Sequence, residues 1–431
     1  PVLRPTIVTL TVLKRCPDWD DVLNRCDRIS RAAPRLRQIV RRSTPPLPPR
    51  WELAPDFDLS FHVRRQTVRN ASWGALLDLA RLAAMADYDD RHPRWEATLV
   101  EGLPDGTAAL LCKLDHALTD GMGAVELADT LYDRSELPCD LGPMPPVPTA
   151  TQSGTIRRTI EYEARLVAAV ASALTDSVPG ALRSARHAVR SAVKLRATAT
   201  SMLRTARPMS GPRSPIMLNR TPIRYVSTHE VDKSDLLRAG HIANGSLNDA
   251  FIAGIAGGLR RYHEAHQAPV TDLVVSMPIS IRTRTDPAAG NRATLMRFQV
   301  PVGVADPARR IRVIHERTGQ ARHEKSLGHT GLIAAGLNVI PRWYVSNELR
   351  RVDFIASDVP GFPSPVSLAG APVGMQYAFS PTMGAALNVT MFSYLDTCAV
   401  GINVDVGAVP DYHVFHDCLV EGFEEVLKLA T

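Results

Sequence analysis

The order of apolar and polar residues predicts alternating strands and helices in the N-terminal third of the chain. Alternating or β-branched runs are typical of strands, and apolar residues at helical spacing indicate amphipathic helices. The predicted strands are 5–13, 57–68, 95–101 and 107–114, and the predicted helices are 20–42, 76–86 and 123–132. The last two strands flank Pro104-Asp105-Gly106 and are expected to form a β-hairpin.

The C-terminal half continues the same alternation. Its predicted strands are 225–231, 273–281, 353–357, 388–394 and 398–405, and its predicted helices are 247–263, 309–322 and 413–429. Both halves mix the two element types, so the class is α/β or α+β. A chain of 431 residues exceeds the size at which one core keeps growing, so two domains of similar size are expected.

A proline-rich stretch at 141–155 is expected to be a domain boundary. The domain prediction is an N-terminal half at 1–150, a basic helical connector at 151–215 and a C-terminal half at 216–431. Within the connector, residues 156–207 carry ten basic and three acidic side chains, with apolar residues between them at helical spacing. This pattern fits a helix on an anionic membrane surface and, equally, a solvated helix packed on the body.

The amino-acid composition limits the binding partners and the cellular compartment that are expected for the protein. The net charge of +6 favours anionic partners, but no zinc finger, RNP motif or helix-turn-helix occurs, so no nucleic-acid partner is expected. The six cysteines form no CxxC pair, which predicts a reducing, cytoplasmic setting. No apolar run reaches the roughly 20 residues of a transmembrane helix.

No metal site is expected. His413 and His416 lie close together beside Asp417, but neither an HExxH pattern nor a cysteine partner accompanies them. They are interpreted as ordinary histidines of the last helix.

The segment 115–121, Asp-His-Ala-Leu-Thr-Asp-Gly, carries the clearest candidate chemistry. His116 follows a predicted strand and precedes a predicted helix, a position where regular structure holds a loop residue in place. Imidazole is the usual general base near neutral pH. Asp120 can orient the ring or lock the loop by pairing with an arginine, and Gly121 permits a sharp backbone turn.

Six segments in order resemble motifs of the bacterial wax ester synthase/diacylglycerol acyltransferase family, between about residues 50 and 410. The matching segments begin at Pro49-Arg50-Trp51, His92-Pro93-Arg94-Trp95, Asp115-His116, Leu247-Asn248-Asp249, Pro278-Ile279-Ser280-Ile281-Arg282 and Ser357-Asp358-Val359-Pro360-Gly361. The segment at 115–121 matches the family's HHxxxDG motif except at its first position.

The resemblance implies two chloramphenicol-acetyltransferase-like halves with a substrate channel between them. It also implies an O-acyltransferase that moves a fatty acyl group from acyl-CoA to diacylglycerol or a long-chain alcohol. Acyl-CoA is then a co-substrate, and no tightly bound cofactor is expected. The implied setting is cytoplasmic, with peripheral contact to the inner membrane face or lipid bodies as an additional possibility.

Site roles follow from the matched positions. The resemblance makes His116 the base and Asp120 a structural residue, which is expected to pair with Arg282. Gly121 is expected to be structural at the active site as well. Asn248 and Asp249 are substrate-binding candidates, although N-capping of a helix explains Asn248 equally well. The remaining substrate-binding candidates are Ser357, Asp358, Pro360 and Gly361.

Two positions depart from the family pattern. Asp115 replaces a histidine, and Asp358 replaces an asparagine. If the strand continues through Asp115, neighbouring side chains face opposite sides and Asp115 points away from the pocket of His116. If the strand ends earlier, Asp115 lies near His116 and raises its pKa, which makes it a poorer neutral base at pH 7. The first arrangement is favoured.

Two other functions are compatible with the chain. A condensation-type acyltransferase shares the HxxxDG core but takes its acyl group from a carrier protein. A catalytically silent lipid-binding homologue is suggested by Asp115 and the basic segment. A hydrolase is disfavoured because no GxSxG motif occurs.

Overall fold

The protein is built around two six-stranded mixed sheets. The computed structural model describes residues 4–41, 49–69, 71–119, 121–135, 141–149, 213–280, 293–322 and 349–431. The strands are β1 Thr6–Leu13, β2 Gln38–Arg41, β3 Arg50–Leu53, β4 Val63–Thr67, β5 Trp95–Glu101, β6 Ala108–Asp115, β7 Arg224–Asp232, β8 Leu273–Ser280, β9 Ala293–Val300, β10 Phe354–Val359, β11 Ser367–Leu368, β12 Ala371–Phe379, β13 Leu387–Tyr394 and β14 Thr397–Asp405. The expected α/β class is confirmed.

Helices cover both sheets. They are α1 Trp19–Ala32, α2 Leu59–His62, α3 Trp73–Met85, α4 Gly121–Leu131, α5 Lys233–Ile242, α6 Leu247–Ala265, α7 Pro307–Arg322 and α8 Tyr412–Leu427. The core of the second half forms around α6, whose residues from Asp249 to Leu259 are all buried. Among the described residues, no helix has both the length and the apolar character that a bilayer crossing needs.

The first sheet has the order β11, β12, β1, β6, β5, β4. Its central strands β1, β6 and β5 pair antiparallel, so the predicted hairpin of β5 and β6 is confirmed. The second sheet has the order β7, β14, β13, β10, β8, β9, in which β10 runs parallel to both β13 and β8.

Strand β12 connects the two halves. It follows β10 in the chain but pairs with β1, with Thr11 opposite Gln376. Residues 367–379 therefore belong to the first sheet although they lie far beyond the proline-rich stretch. Strand β14 of the second sheet packs closely against β12, because a Cβ on Gly401 would overlap with the carbonyl oxygen of Ala378. Only glycine permits this approach of two backbones.

Two predicted elements are wrong in part. The helix predicted for 20–42 ends at Ala32, because Pro34 opens a short 3-10 turn and β2 follows from Gln38. The strand predicted for 57–68 begins only at Val63. Before it, the Asp58 side chain accepts a hydrogen bond from the Ser60 backbone N–H (2.9 Å) and caps the short helix α2.

Candidate active site

His116 is held at the C-terminal end of β6. Its backbone N–H donates to the carbonyl oxygen of Pro5 (2.7 Å), which extends the pairing of β6 with the chain that leads into β1. Two residues later, the N–H of Leu118 closes a turn onto the carbonyl of Asp115 (2.9 Å). His116 therefore directly follows an interior strand of the first sheet, and helix α4 begins at Gly121 directly after the turn.

The alternation of β6 directs His116 into a cavity. Leu110, Cys112 and Leu114 line this cavity together with His116, and the odd-numbered residues of the strand do not. Successive side chains of a strand point to opposite faces, and His116 continues the even-numbered face.

Asp115 lies on the other face of the sheet, as favoured from the sequence. Strand β6 includes Asp115, a residue that is 1% exposed. Its carboxylate forms an ion pair with Arg94 (3.0 Å) and accepts a hydrogen bond from the backbone N–H of Ala117 (2.8 Å). Asp115 thus stabilises the turn that carries His116 instead of facing the cavity.

The cavity has a volume of about 290 Å³ and lies between the first sheet, helices α1 and α4, and the C-terminal ends of strands β8 and β10 of the second sheet. Most of its wall is apolar. From the second sheet it receives Pro278 and Ile279 of β8 and Ser357, Asp358 and Val359 of β10. Residues from both halves thus surround the space next to His116, which suits two substrates that meet from different sides.

The predicted site residues separate into three groups. His116, Ser357 and Asp358 line the cavity together, whereas Asn248, Asp249, Pro360 and Gly361 are not part of its wall. Asp120 and Arg282 lie outside the described residues, so their ion pair stays a prediction.

Asn248 and Asp249 lie in the first turn of α6. The N-cap of that helix is Ser246, so the N-capping interpretation of Asn248 is wrong. The Asp249 carboxylate accepts hydrogen bonds from the Ser246 N–H (2.9 Å) and from His315 Nδ1 of α7 (2.8 Å). Asp249 therefore fixes the start of α6 against α7, while Asn248 Nδ2 contacts the sulfur of Met277 at 3.6 Å.

The cavity also contains polar side chains that the motifs did not indicate. Thr11, Tyr132 and Gln376 lie in its wall, as do the two thiols Cys26 and Cys112. Burial raises the pKa of Cys112 to about 12 and raises that of Cys26 as well, so both remain protonated thiols at neutral pH. No spacing rule finds these residues, because five separate chain segments supply them.

Asp358 brings a carboxyl group into this largely apolar wall. Burial raises its pKa to about 6, and the nearby Lys233 only partly offsets that effect. An exposed aspartate has a pKa of about 3.9. The folded protein therefore loses stability as the pH rises from about 4 through 6, because charging Asp358 costs more in the cavity than in the unfolded chain.

We expect Asp358→Asn to be more stable than the parent protein at about pH 8. Two pKa units correspond to roughly 3 kcal/mol, and partial exposure of the side chain reduces this to about 1–2 kcal/mol. Urea denaturation at about pH 8 and about pH 4 measures the difference, which should vanish at the lower pH. The exposed Asp56→Asn is the matched control and should show no such pH-dependent gain. An equal effect of Asp358→Asn at both pH values would contradict the burial argument.

Comparisons with known proteins place the chain among acyltransferases. The family model described as "Wax ester synthase/diacylglycerol acyltransferase catalytic domain" matches residues 6–251, and "WS/DGAT C-terminal domain" matches residues 289–427. A Mycobacterium tuberculosis protein named as a candidate diacyglycerol O-acyltransferase is 36% identical over 100% of this chain and 89% of its own length. A second protein of that organism with the same kind of name is 26% identical over 94% of this chain and 82% of its own length.

Solved structures show the same fold. The wax ester synthase/diacylglycerol acyltransferase of Marinobacter aquaeolei VT8 matches with a TM-score of 0.67 at 19% identity, over 100% of this chain and 96% of that one. The first condensation domain of the calcium-dependent antibiotic synthetase matches with a TM-score of 0.62 at 17% identity, over 99% and 91%. The expected two-domain architecture is confirmed by these likenesses.

Among the described residues, no group of three or more His, Cys, Asp or Glu side chains is arranged to hold a metal ion.

Proposed function

Because the chain belongs to the wax ester synthase/diacylglycerol acyltransferase family, we propose that it moves a fatty acyl group from acyl-CoA to the hydroxyl of a hydrophobic alcohol, with His116 as general base. The enzyme is an acyltransferase, and the proposal concerns its substrates and its base. The observation that carries the proposal is the position of His116 in the wall of an apolar cavity between the two sheets. An apolar wall with one imidazole suits an alkyl chain and a single proton transfer.

The reaction needs one proton relay. His116 takes the hydroxyl proton while the alcohol oxygen attacks the thioester carbonyl carbon, and a tetrahedral oxyanion forms. Its collapse breaks the C–S bond, and the thiolate of CoA takes the proton back from the imidazolium. Binding both substrates in one cavity removes much of the entropic cost of their encounter.

Direct transfer is proposed, without an acyl-enzyme. The two cavity thiols, Cys26 and Cys112, are alternative nucleophiles, and burial keeps both protonated at neutral pH. A thiol reacts with a thioester only as the thiolate. Attack by the alcohol itself, assisted by His116, is therefore the simpler route.

Several finer roles belong to the same proposal. Asp120 pairs with Arg282 and fixes the loop of His116, with Gly121 as its turning point. Of the substrate-binding candidates, Ser357 and Asp358 line the cavity and are proposed to contact substrate. The other candidates, which do not line it, are Asn248, Asp249, Pro360 and Gly361. The proposed domains are residues 1–150 and 216–431, joined by the connector 151–215. Residues 367–379 of the second domain contribute strands to the first sheet.

The working environment is proposed to be a lipid surface reached from the cytoplasm. Both substrates carry long apolar chains, and the basic segment 156–207, which lies outside the described residues, supplies positive charge for an anionic surface. The acceptor classes are diacylglycerol and long-chain alcohols.

Purified protein mixed with palmitoyl-CoA and a panel of alcohols tests this function. We expect CoA release to depend on the alcohol and to match the ester detected by mass spectrometry. Equal CoA release with and without alcohol would contradict acyl transfer and indicate thioester hydrolysis. Absence of any release would favour the silent lipid-binding homologue.

The identity of the acyl donor distinguishes the proposed reaction from the condensation-type alternative. Palmitoyl-CoA and palmitoyl attached to a carrier protein are compared as donors at equal concentration. The proposal expects the CoA thioester to be used, whereas exclusive use of the carrier-bound acyl group would replace it with the condensation-type reaction.

A further inference from the structure

A cluster of three buried polar side chains lies in the apolar cavity, away from His116. Thr11 of β1, Gln376 of β12 and Tyr132 after α4 all line the cavity and are 3%, 6% and 7% exposed. The hydroxyl groups of Thr11 and Tyr132 are hydrogen bonded (2.8 Å), and Gln376 Nε2 donates to Thr11 Oγ1 (3.4 Å). We call these three residues the distal polar cluster.

The distal polar cluster holds an unused acceptor. Gln376 Oε1 is buried and accepts no hydrogen bond from any described residue. Turning the amide by 180° would exchange its two ends and leave the nitrogen end in that position, so one end of the amide lacks a partner either way. Buried polar atoms in proteins are almost always hydrogen bonded, and an unpaired one is costly.

Strand register gives the distance of the cluster from His116. Gln376 lies opposite Thr11, and Thr11 lies opposite Leu110 of β6. Leu110 precedes His116 by six residues on the same face, which corresponds to about 20 Å at roughly 3.3 Å per residue. A fully extended chain advances about 1.2 Å per bond, so an alkyl chain of about 16 bonds spans this distance.

We propose that the cavity binds an alkyl chain with a hydroxyl group near its far end, and that the amide of Gln376 hydrogen bonds that hydroxyl. This inference rests on the proposed acyl transfer and specifies its substrate class. A plain alkyl chain leaves the amide unpaired, and an apolar side chain would then serve better at this position. A terminal hydroxyl pairs with whichever end of the amide faces it, because a hydroxyl both donates and accepts.

The chain can arrive as the acyl group or as the acceptor alcohol, so the test has two arms. In the first, kcat/KM is compared for palmitoyl-CoA and its ω-hydroxy analogue with hexadecanol as acceptor. In the second, hexadecanol is compared with the matching terminal diol, with palmitoyl-CoA as donor and a correction for the diol's two reactive ends. We expect about a tenfold preference for the hydroxylated chain in one arm, since one hydrogen bond to a buried group has that magnitude.

Gln376→Leu should lower the preference for the hydroxylated chain to about one. If the leucine variant does not fold, Gln376→Met replaces it in the same measurement. The preference is a ratio measured within each protein, so a general loss of activity cancels. Gln66→Leu, the same replacement at an exposed position of β4, is the matched control and should keep the preference.

Ester formation without any preference in either arm, or a preference that survives both Gln376 variants, would overturn the inference and leave acyl transfer intact. Absence of ester from every chain would instead refute the proposed function itself. A preference in the first arm alone identifies the hydroxylated chain as the acyl group, and one in the second arm alone identifies it as the alcohol.

Discussion

Replacing His116 by alanine is expected to lower kcat for ester formation by about 10²–10⁴-fold, the usual contribution of a general base. The alcohol then has to lose its proton to water, and the cavity wall next to position 116 is mostly apolar. KM for palmitoyl-CoA should change little, because in the proposed complex the apolar wall, and not the imidazole, holds the acyl chain. Initial rates over a range of acyl-CoA concentrations separate the two constants.

The His116→Ala protein should keep its fold. The backbone hydrogen bond from residue 116 to Pro5 and the contacts of Asp115 with Arg94 and Ala117 do not involve the imidazole. Thermal unfolding of the variant checks this point. The matched control is His241→Ala, which removes an exposed imidazole from the last turn of α5 and should leave kcat unchanged. A folded His116→Ala protein with full kcat would exclude His116 as the base.

Gly361→Ala is expected to have the second-largest effect. The N–H of Gly361 donates to Ser393 Oγ (3.2 Å), and a Cβ at this position would overlap with the Ser393 carbonyl and the Phe392 ring. Phe392 lines the cavity, as do Ser357 and Asp358 just before the glycine. The methyl group therefore forces β10 and β13 apart and displaces one wall of the cavity.

Such overpacking costs about 1–3 kcal/mol of unfolding free energy. A displacement of about 1 Å in the substrate-binding wall lowers kcat/KM by on the order of 10²-fold. Urea denaturation and steady-state kinetics measure the two effects. The control is Gly374→Ala on β12, whose added Cβ would meet its nearest neighbour at an ordinary 3.6 Å and should be tolerated. Equal stability of both variants would show that Gly361 is not a close-packing position.

Local pattern was sufficient to predict the element that carries His116. Alternation along β6 and the glycine after the motif place the histidine between a strand and a helix, and the structure has that arrangement. The same alternation correctly separated Asp115 from the cavity. The partner of Asp115 was not predictable, because Arg94 belongs to the loop before β5 and meets Asp115 only when the hairpin forms.

The elements that local sequence patterns did not predict depend on pairing between residues far apart in the chain. Strand β12 was not predicted, and no local signal shows that a strand after β10 returns to the first sheet to pair with β1. The distal polar cluster depends on that return, since Thr11 and Gln376 are 365 positions apart in the chain. Pro34 and Asp58 are local signals that the sequence does contain. Pro34 opens the 3-10 turn that follows the helix predicted for 20–42, and Asp58 caps the short helix that replaces the start of the strand predicted for 57–68.

The most direct test of the account follows the acyl group itself through a single turnover. Wild-type protein in excess over palmitoyl-CoA is mixed with long-chain alcohol and quenched at intervals, and thioester, ester and the intact mass of the protein are measured. Direct transfer assisted by His116 predicts that thioester disappears and ester appears with one rate constant, with no acyl adduct on the protein at any time. An acyl adduct on the protein that forms before the ester and decays as the ester appears would contradict it.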